Sequence, residues 1–281
     1  KMTVLERVNA YSAKLTEADR KIIATVFDDR AESAFLSGPQ LAERANVHEA
    51  AATRLAQKLG YKGYPEMRAQ LQRELVDGQD AAERMRRSVK LAGGKGYLEA
   101  LIASEIAALE NLIQTVGQEE VDRAADMIFD AKRVFLFGQG HAQSVLSFLQ
   151  RRLDRFGMTT VLLAGRGRDV AERIVSLGPP DVVIAMAFRK QPDAYKPLMS
   201  RAQHVGAKTI LISDLSGLSM EPRAELILAA PRGRSGSEFQ TPTVPLAIVS
   251  SVLLTIAGRH ELQTIGALES LADLFRQFEE T

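Results

Sequence analysis

The chain has 281 residues, enough for two domains or one large one, and its 46% hydrophobic and 25% charged residues are ordinary for a soluble globular protein. Lys and Arg total 36 against 35 Asp and Glu, a net charge of +1, so any nucleic-acid binding must come from a local patch rather than a global basic field. The lack of cysteine excludes disulfides, zinc fingers and thiol catalysis; with no apolar run near the roughly 20 residues of a membrane span and no signal-peptide pattern, a cytoplasmic location is expected.

Residues 1–77 read as all-helical. Thr16-Glu17-Ala18-Asp19 is a capping box opening a helix through Phe27, with Ile22, Ile23 and Val26 on one side. Ser37-Gly38-Pro39-Gln40 is a second box, with Ser37 as N-cap and Gln40 reaching back; its helix runs from Pro39 to about Ala45. Only Asn46-Val47 separates it from a helix that runs to Leu59 and stops at Gly60, and a further helix from Pro65 to about Asp77 follows.

Two short helices across a tight turn form the helix-turn-helix pattern. The second has two faces. Ala51, Leu55 and Leu59 stand at i, i+4, i+8 and are expected to pack inward, while Ala50, Thr53, Arg54, Gln57 and Lys58 form the opposite, polar-to-basic stripe. Between Asn46 and Arg73 there are five basic residues against two acidic, a local excess of +3 that the whole-chain charge conceals. A solvated three-helix packing module would show the same periodicity.

The segment Leu36 to Tyr64, and most specifically Ala-x-x-Leu-Gly-Tyr-x-Gly-Tyr at Ala56 to Tyr64, resembles the N-terminal domain of RpiR-type bacterial transcriptional regulators. The resemblance implies binding to double-stranded operator DNA, with Ser37, Gln40, His48, Ala50, Thr53, Arg54, Gln57, Lys58, Lys62 and Tyr64 as the candidate contacts. The sequence departs from that pattern where His48 replaces a usual serine and Ala51 a common threonine, each removing a hydroxyl that can bond a phosphate or base edge.

Residues 78–120 read as a linker and connecting helix. Arg84, Arg86, Arg87, Lys90 and Lys95 surround Gly93-Gly94, and an amphipathic helix from Tyr97 to Val116 follows, with a stripe (Leu98, Leu101, Ile102, Ile106, Leu109, Ile113) broad enough to suggest helices of a second subunit.

From residue 121 the pattern changes to α/β. In Arg133–Arg152 a short apolar run, Val134-Phe135-Leu136-Phe137, suits one buried strand, Gly138-Gln139-Gly140 breaks it, and helical spacing resumes from Ala142. A dinucleotide fingerprint would need a third glycine where Gln143 stands, so NAD is not expected. Strands at Thr160–Leu163, Val182–Ala185, Thr209–Ser213 and Leu226–Ala229, with helices at Asp169–Leu177 and Asp193–Val205 between them, predict a five-stranded parallel sheet covered on both faces. Ligands of such sheets gather at the carboxyl ends of the strands, here Gly138-Gln139-Gly140-His141, Ala164-Gly165-Arg166, Ala187-Phe188-Arg189-Lys190 and Asp214.

The region from about Val121 to Arg259 resembles the sugar isomerase (SIS) domain, which recognises phosphosugars in isomerases and in RpiR-type regulators. Gly138 and Gly140 match its Gly-x-Gly-x-Ser, with Ala142 in place of the serine. Its Ser-x-Ser-Gly-x-Thr phosphate loop is replaced by Ala187-Phe188-Arg189-Lys190-Gln191-Pro192, close to a Phe-Arg-Arg variant of the regulators. Arg189 and Lys190 would hold an anion by charge-assisted contacts in place of hydroxyls. The candidate ligand-binding set is Gly138, Gln139, Gly140, His141, Ser144, Ala187, Phe188, Arg189, Lys190, Ser237 and Glu238.

The expected architecture is therefore an all-α helix-turn-helix domain (1–77), a linker and connecting helix (78–120), and a SIS domain with an oligomerisation helix, Glu261 to Glu280 (121–281). The expected function is a homodimeric or homotetrameric transcriptional regulator sensing a small anionic metabolite such as a sugar phosphate, with no cofactor, metal or membrane partner. His141, His260 and Glu238 share no spacing that would make an acid–base pair, so an enzyme is not expected; a sugar-phosphate isomerase with an accessory helical domain is the alternative.

Overall fold

The structure is a computed structural model that describes residues 2–28, 30–76, 85–86, 88–90, 92–93, 96–232 and 239–279. It divides into two compact units. The first comprises Lys1–Thr115 with Asp214–Met220 and Ala229–Val244, and the second comprises Val116–Ser213, Glu221–Leu228 and Pro245–Thr281.

In the first unit, helices α1 (Val4–Ala10), α2 (Glu17–Asp28), α3 (Arg30–Ser33), α4 (Gly38–Arg44), α5 (Ala51–Lys58) and α6 (Tyr64–Val76) surround one core. Both capping boxes form: Thr16 and Asp19 exchange backbone–side-chain bonds at 2.8 and 3.3 Å, and Ser37 and Gln40 do so at 2.8 and 3.4 Å. A third, Thr3 with Glu6, starts α1.

The tight turn has a specific geometry. Asn46 adopts φ 52°, its N–H donates to the Glu43 carbonyl, and the Val47 N–H reaches back to Ala42; this left-handed stop lets α4 end within one residue. The same motif ends α5, where Gly60 takes φ 81° and the Tyr61 N–H donates to Ala56. A side chain at Gly60 would be strained and would also meet Arg7, so the Leu-Gly-Tyr sequence is the C-cap of α5.

The chain resumes as helix at Met85–Arg86 and Ser88–Lys90; Arg84, Arg87, Gly94 and Lys95 of the expected basic linker lie outside the described residues. Helix α7 (Tyr97–Thr115) buries only Ala108 and Leu112, while Leu98, Leu101, Ile102, Ile106, Leu109 and Ile113 are all exposed.

The second unit holds α8 (Gln118–Phe129), β1 (Arg133–Gly138), α9 (Ala142–Arg155), β2 (Thr160–Leu163), α10 (Gly167–Arg173), β3 (Asp181–Ala187), α11 (Tyr195–Val205) and β4 (Lys208–Ser213). Then come β5 (Leu226–Ala229), α12 (Thr243–Arg259) and α13 (Glu261–Glu279). The five-stranded sheet has the order β2-β1-β3-β4-β5, with β1–β2, β1–β3 and β3–β4 parallel. Every residue of β3 is buried, as expected of a central strand covered on both faces. Two helices depart from the sequence expectation: α10 ends at Arg173 rather than Leu177, and α11 starts at Tyr195 rather than Asp193. Turns carry the chain across both gaps, with the Leu177 N–H bonded to Ile174 and the Tyr195 N–H to Pro192.

Candidate functional site

Helix α5 separates its faces cleanly. Ala51, Ala52, Leu55, Ala56 and Leu59 are between 0% and 4% exposed, in one core with Ile22, Ile23, Val26 and Leu41. His48, Ala50, Thr53, Arg54 and Gln57 are exposed on the other side. The His48 imidazole has a role the sequence reading missed: its Nδ1 accepts the Ala50 N–H at 3.2 Å, a bond a serine hydroxyl at this place would otherwise make. The signal was available, since a polar side chain ahead of a helix can take a backbone N–H two residues on.

Four other residues of the DNA-binding set have structural duties. Lys58 forms an ion pair with Asp19 at the start of α2. Burial opposes ionisation of Asp19, but the bonds from Lys58 and Thr16 outweigh it and hold the carboxyl below its ordinary value. Tyr64 is only 2% exposed; its hydroxyl donates toward the Ser33 and Leu36 carbonyls, and burial pushes its pKa up to about 12. The side chains of Ser37 and Gln40 are engaged in capping α4. Lys62 is exposed, and its backbone N–H is bonded to Glu66. Helix α5 therefore offers Thr53, Arg54 and Gln57 outward, with His48 and Ala50 at its start.

The second region lies where the strand order reverses. In the order 2-1-3-4-5, β1 and β3 are neighbours whose following helices cover opposite faces, which opens a crevice outside their carboxyl ends. Gly138 is in register with Met186, so the loops Gly138–His141 and Ala187–Lys190 leave the sheet side by side. At Gly138 a Cβ would come within 2.7 Å of Leu146 and 3.1 Å of Ala142 and the Met186 carbonyl, so only glycine lets α9 close onto the sheet here. Ala142, standing where a serine was expected by resemblance, is part of that contact and is buried. Gly140 takes φ 58° and has open space beside it; Gln139, Gly140 and His141 are exposed. Ser144 is exposed too, and its hydroxyl donates to the His141 carbonyl at 2.8 Å.

The β3 loop is strained. Arg189 has φ 71°, and the Lys190 N–H bonds the Phe188 carbonyl across it at 2.9 Å, which is a γ-turn of the rare positive-φ kind. A non-glycine residue held there costs on the order of 1–3 kcal/mol and is sustained by its surroundings, a pattern found at ligand clamps. Arg189 and Lys190 are exposed, Phe188 half-buried, and Ala187 buried with its carbonyl accepting the Ser213 hydroxyl.

On the other side of β1, the loop after β2 exposes Arg166 and Arg168. Basic residues thus flank the β1 turn from both neighbouring strands. The Arg-Gly-Arg run signalled this, but only the sheet order places it beside β1. Asp214, at the end of β4, is instead occupied: it accepts the Ser216 N–H and pairs with Arg232. Ser237 and Glu238 lie outside the described residues.

A helix-turn-helix whose second helix has a polar outer face is followed by a 2-1-3-4-5 α/β sheet with basic loops at its switch point. Residues 2–78 match the helix-turn-helix domain of the rpiR family. The chain is 27% identical over 155 residues to the HTH-type transcriptional regulator HexR of Pseudomonas aeruginosa, covering 55% of this chain and 54% of that one, so it spans about half the length of this relative. In fold it is similar to NanR of Vibrio vulnificus, solved in complex with ManNAc-6P, with a TM-score of 0.58 at 16% identity over 98% of each chain. It is also similar to the sugar isomerase domain of an RpiR transcription factor from Sphaerobacter thermophilus, with a TM-score of 0.56 at 20% identity over 63% of this chain and 98% of that one. Residues 2–78 thus resemble the rpiR-family helix-turn-helix domain, and the fold is that of a helix-turn-helix joined to a SIS domain.

Proposed function

We propose that this protein is a DNA-binding transcriptional regulator whose SIS domain holds a small anionic carbohydrate metabolite, a sugar phosphate in the first instance, and modulates operator binding. The observation that carries the reading is the outward face of α5: Thr53, Arg54 and Gln57 are exposed on a helix whose opposite side is almost wholly buried. A core-packing module needs only the buried side. A helix that follows such a tight turn suits the major groove, where Arg54 and Gln57 have the donors and acceptors that read base edges.

The effector reading rests on Arg189 and Lys190 in the strained β3 loop beside the open turn at Gly140. Two cations favour a phosphate or carboxylate by charge-assisted bonds. The exposed apolar stripes of α7 and of α13, where Leu262 is 88% and Phe278 79% exposed, fit self-association into a homodimer or homotetramer. We assign the DNA-binding part to 1–77, the linker and connecting helix to 78–120 and the sensing part to 121–281, acting in the cytoplasm as a regulator rather than as an enzyme.

The test is Arg54→Ala in the full-length protein, read by fluorescence anisotropy on duplex DNA from upstream of its own gene. Loss of a bidentate base contact costs about 1–3 kcal/mol, roughly 5- to 150-fold in affinity, without a change in melting temperature. Wild-type affinity in the variant would refute the reading-helix assignment.

A further inference from the structure

Three loops leave the carboxyl edge of the sheet side by side, and all of them belong to the second unit. Phe137 is in register with Leu163 on one side of β1, and Gly138 with Met186 on the other, so the β1 turn runs between the β2 loop and the β3 loop. Segments 138–141, 164–168 and 187–191 together hold four Lys or Arg residues and no Asp or Glu, in a chain whose overall charge is nearly balanced. Arg166 and Arg168 stand on one side of the β1 turn, Arg189 and Lys190 on the other, and all four are exposed.

The β2 loop is as specifically shaped as the β3 loop. Gly165 takes φ 94°, and a Cβ there would run into the Asp169 carboxylate, which accepts the Arg166 N–H at 2.8 Å. The nearest acid is thus bonded to the backbone, and among the described residues neither Arg166 nor Arg168 has an ion-pair partner. The arginines that join elements of this unit are built differently, with Arg133 on Asp181 and Arg259 on Asp126. Between the two cationic sides, Gly140 has open space beside it and Gln139 is exposed.

We propose that the effector carries an acidic group at each end of a hydroxylated chain, as a sugar bisphosphate or a phosphorylated sugar acid does, and lies across the β1 turn. This rests on the reading of Arg189 and Lys190 as an anion-holding pair and adds a second pair to it. Arg189 and Lys190 take one acidic group, Arg166 and Arg168 take the other, and Gln139 is left for the hydroxyls between them. Neighbouring strands lie about 4.8 Å apart, which separates β2 from β3, with β1 between them, by about 10 Å. An open hexose chain with acidic ends has that reach, and a lone phosphate does not. Guanidinium forks accept phosphate and carboxylate alike, so either can fill the β2 side.

The test is isothermal titration calorimetry on the full chain at fixed salt, with matched probes that differ by one acidic group. Fructose 1,6-bisphosphate is compared with fructose 6-phosphate, 6-phosphogluconate with glucose 6-phosphate, and inorganic pyrophosphate serves as a highly charged probe too short to span. At least one two-ended probe should bind wild type about tenfold or more tightly than its one-ended partner, the gain of a second charge-assisted anchor. The double variant Arg166→Gln with Arg168→Gln, exposed at both positions, should melt like wild type and reduce that ratio below about twofold. Equal affinities within both pairs, a ratio that survives in the double variant, or the same arginine-dependent gain for pyrophosphate would each overturn the proposal. So would a double variant that loses affinity for duplex DNA but keeps the probe ratio, since the β2 pair would then serve the phosphate backbone. Lys190→Gln separates this result from the underlying reading. It should weaken one-ended and two-ended probes together; if it alters neither, or if no probe binds wild type, the anion-holding role of the β3 loop falls and the bridging falls with it.

Discussion

The two ends of β1 and β3 are built from the same neighbouring strands, yet their side chains are arranged for opposite ends. At the amino ends, Arg133 grips the fully buried Asp181 carboxylate with bonds of 3.0 and 2.7 Å, and Asp181 also accepts the Gly178 N–H at 2.8 Å. At the carboxyl ends, the basic residues Arg189 and Lys190 are exposed on a strained turn beside an open glycine. The first arrangement uses charge to fix the strand pair. The second carries its charge on an exposed, locally strained turn. A cation in this fold is therefore informative only together with its strand end.

The comparison can be broken most forcefully at the locked end. Asp181→Ala leaves the Gly178 N–H without its carboxylate acceptor and the Arg133 guanidinium with only its bonds to Ser176. Because Arg133 is partly exposed, the cost falls at or below the low end for broken buried pairs, about 2–3 kcal/mol, seen as a lower midpoint in chemical denaturation. Anion affinity should be unchanged, and a large loss of affinity at constant stability would show that the two ends are not separate in function.

The next effect is acid sensitivity in the first unit. Asp19 is held below its ordinary pKa, so its stabilising contribution is complete above the unfolded-state value near 4 and is lost as pH falls through the lower folded-state value. Asp19→Asn should abolish that part of the acid dependence and loosen the end of α5, measured as a flatter stability–pH profile below pH 5. An unchanged profile would remove the Lys58–Asp19 pair from the account.

The smallest effect has the opposite sign. Arg189→Gly relieves the left-handed strain and should stabilise the protein by about 1 kcal/mol in denaturant melts, while weakening any sugar-phosphate binding. A variant that is destabilised would show that the arginine is held for stability rather than for a ligand.

How far each region was legible follows from how local its cause is. Ser37 with Gln40, Thr16 with Asp19, and the stop at Gly60 depend on neighbours within a few residues, and the sequence displays them directly. The strands of the sheet were legible for the same reason, since four to seven apolar residues between turns need no long-range partner to be recognised. Lys58 and Tyr64 were read as DNA contacts from helix spacing and resemblance; what occupies them is Asp19, 39 residues away, and the Ser33 and Leu36 carbonyls. The place of Leu215 in the core of the N-terminal helices is equally invisible, because the preceding strand announces it only as the loop of a parallel sheet. Arg189 at φ 71° could not be read either, since nothing in Phe-Arg-Lys encodes a turn that glycine or asparagine would take more readily.

The central claim is that the outward face of α5 grips duplex DNA under the control of an anion held at the β3 loop. Its most direct test is one anisotropy titration of the wild-type protein on its own upstream DNA, repeated across a panel of sugar phosphates at fixed salt. The account predicts salt-sensitive binding whose affinity shifts at least about fivefold with one member of the panel. Binding that no anionic sugar alters, or no binding above that to unrelated duplex, would contradict it.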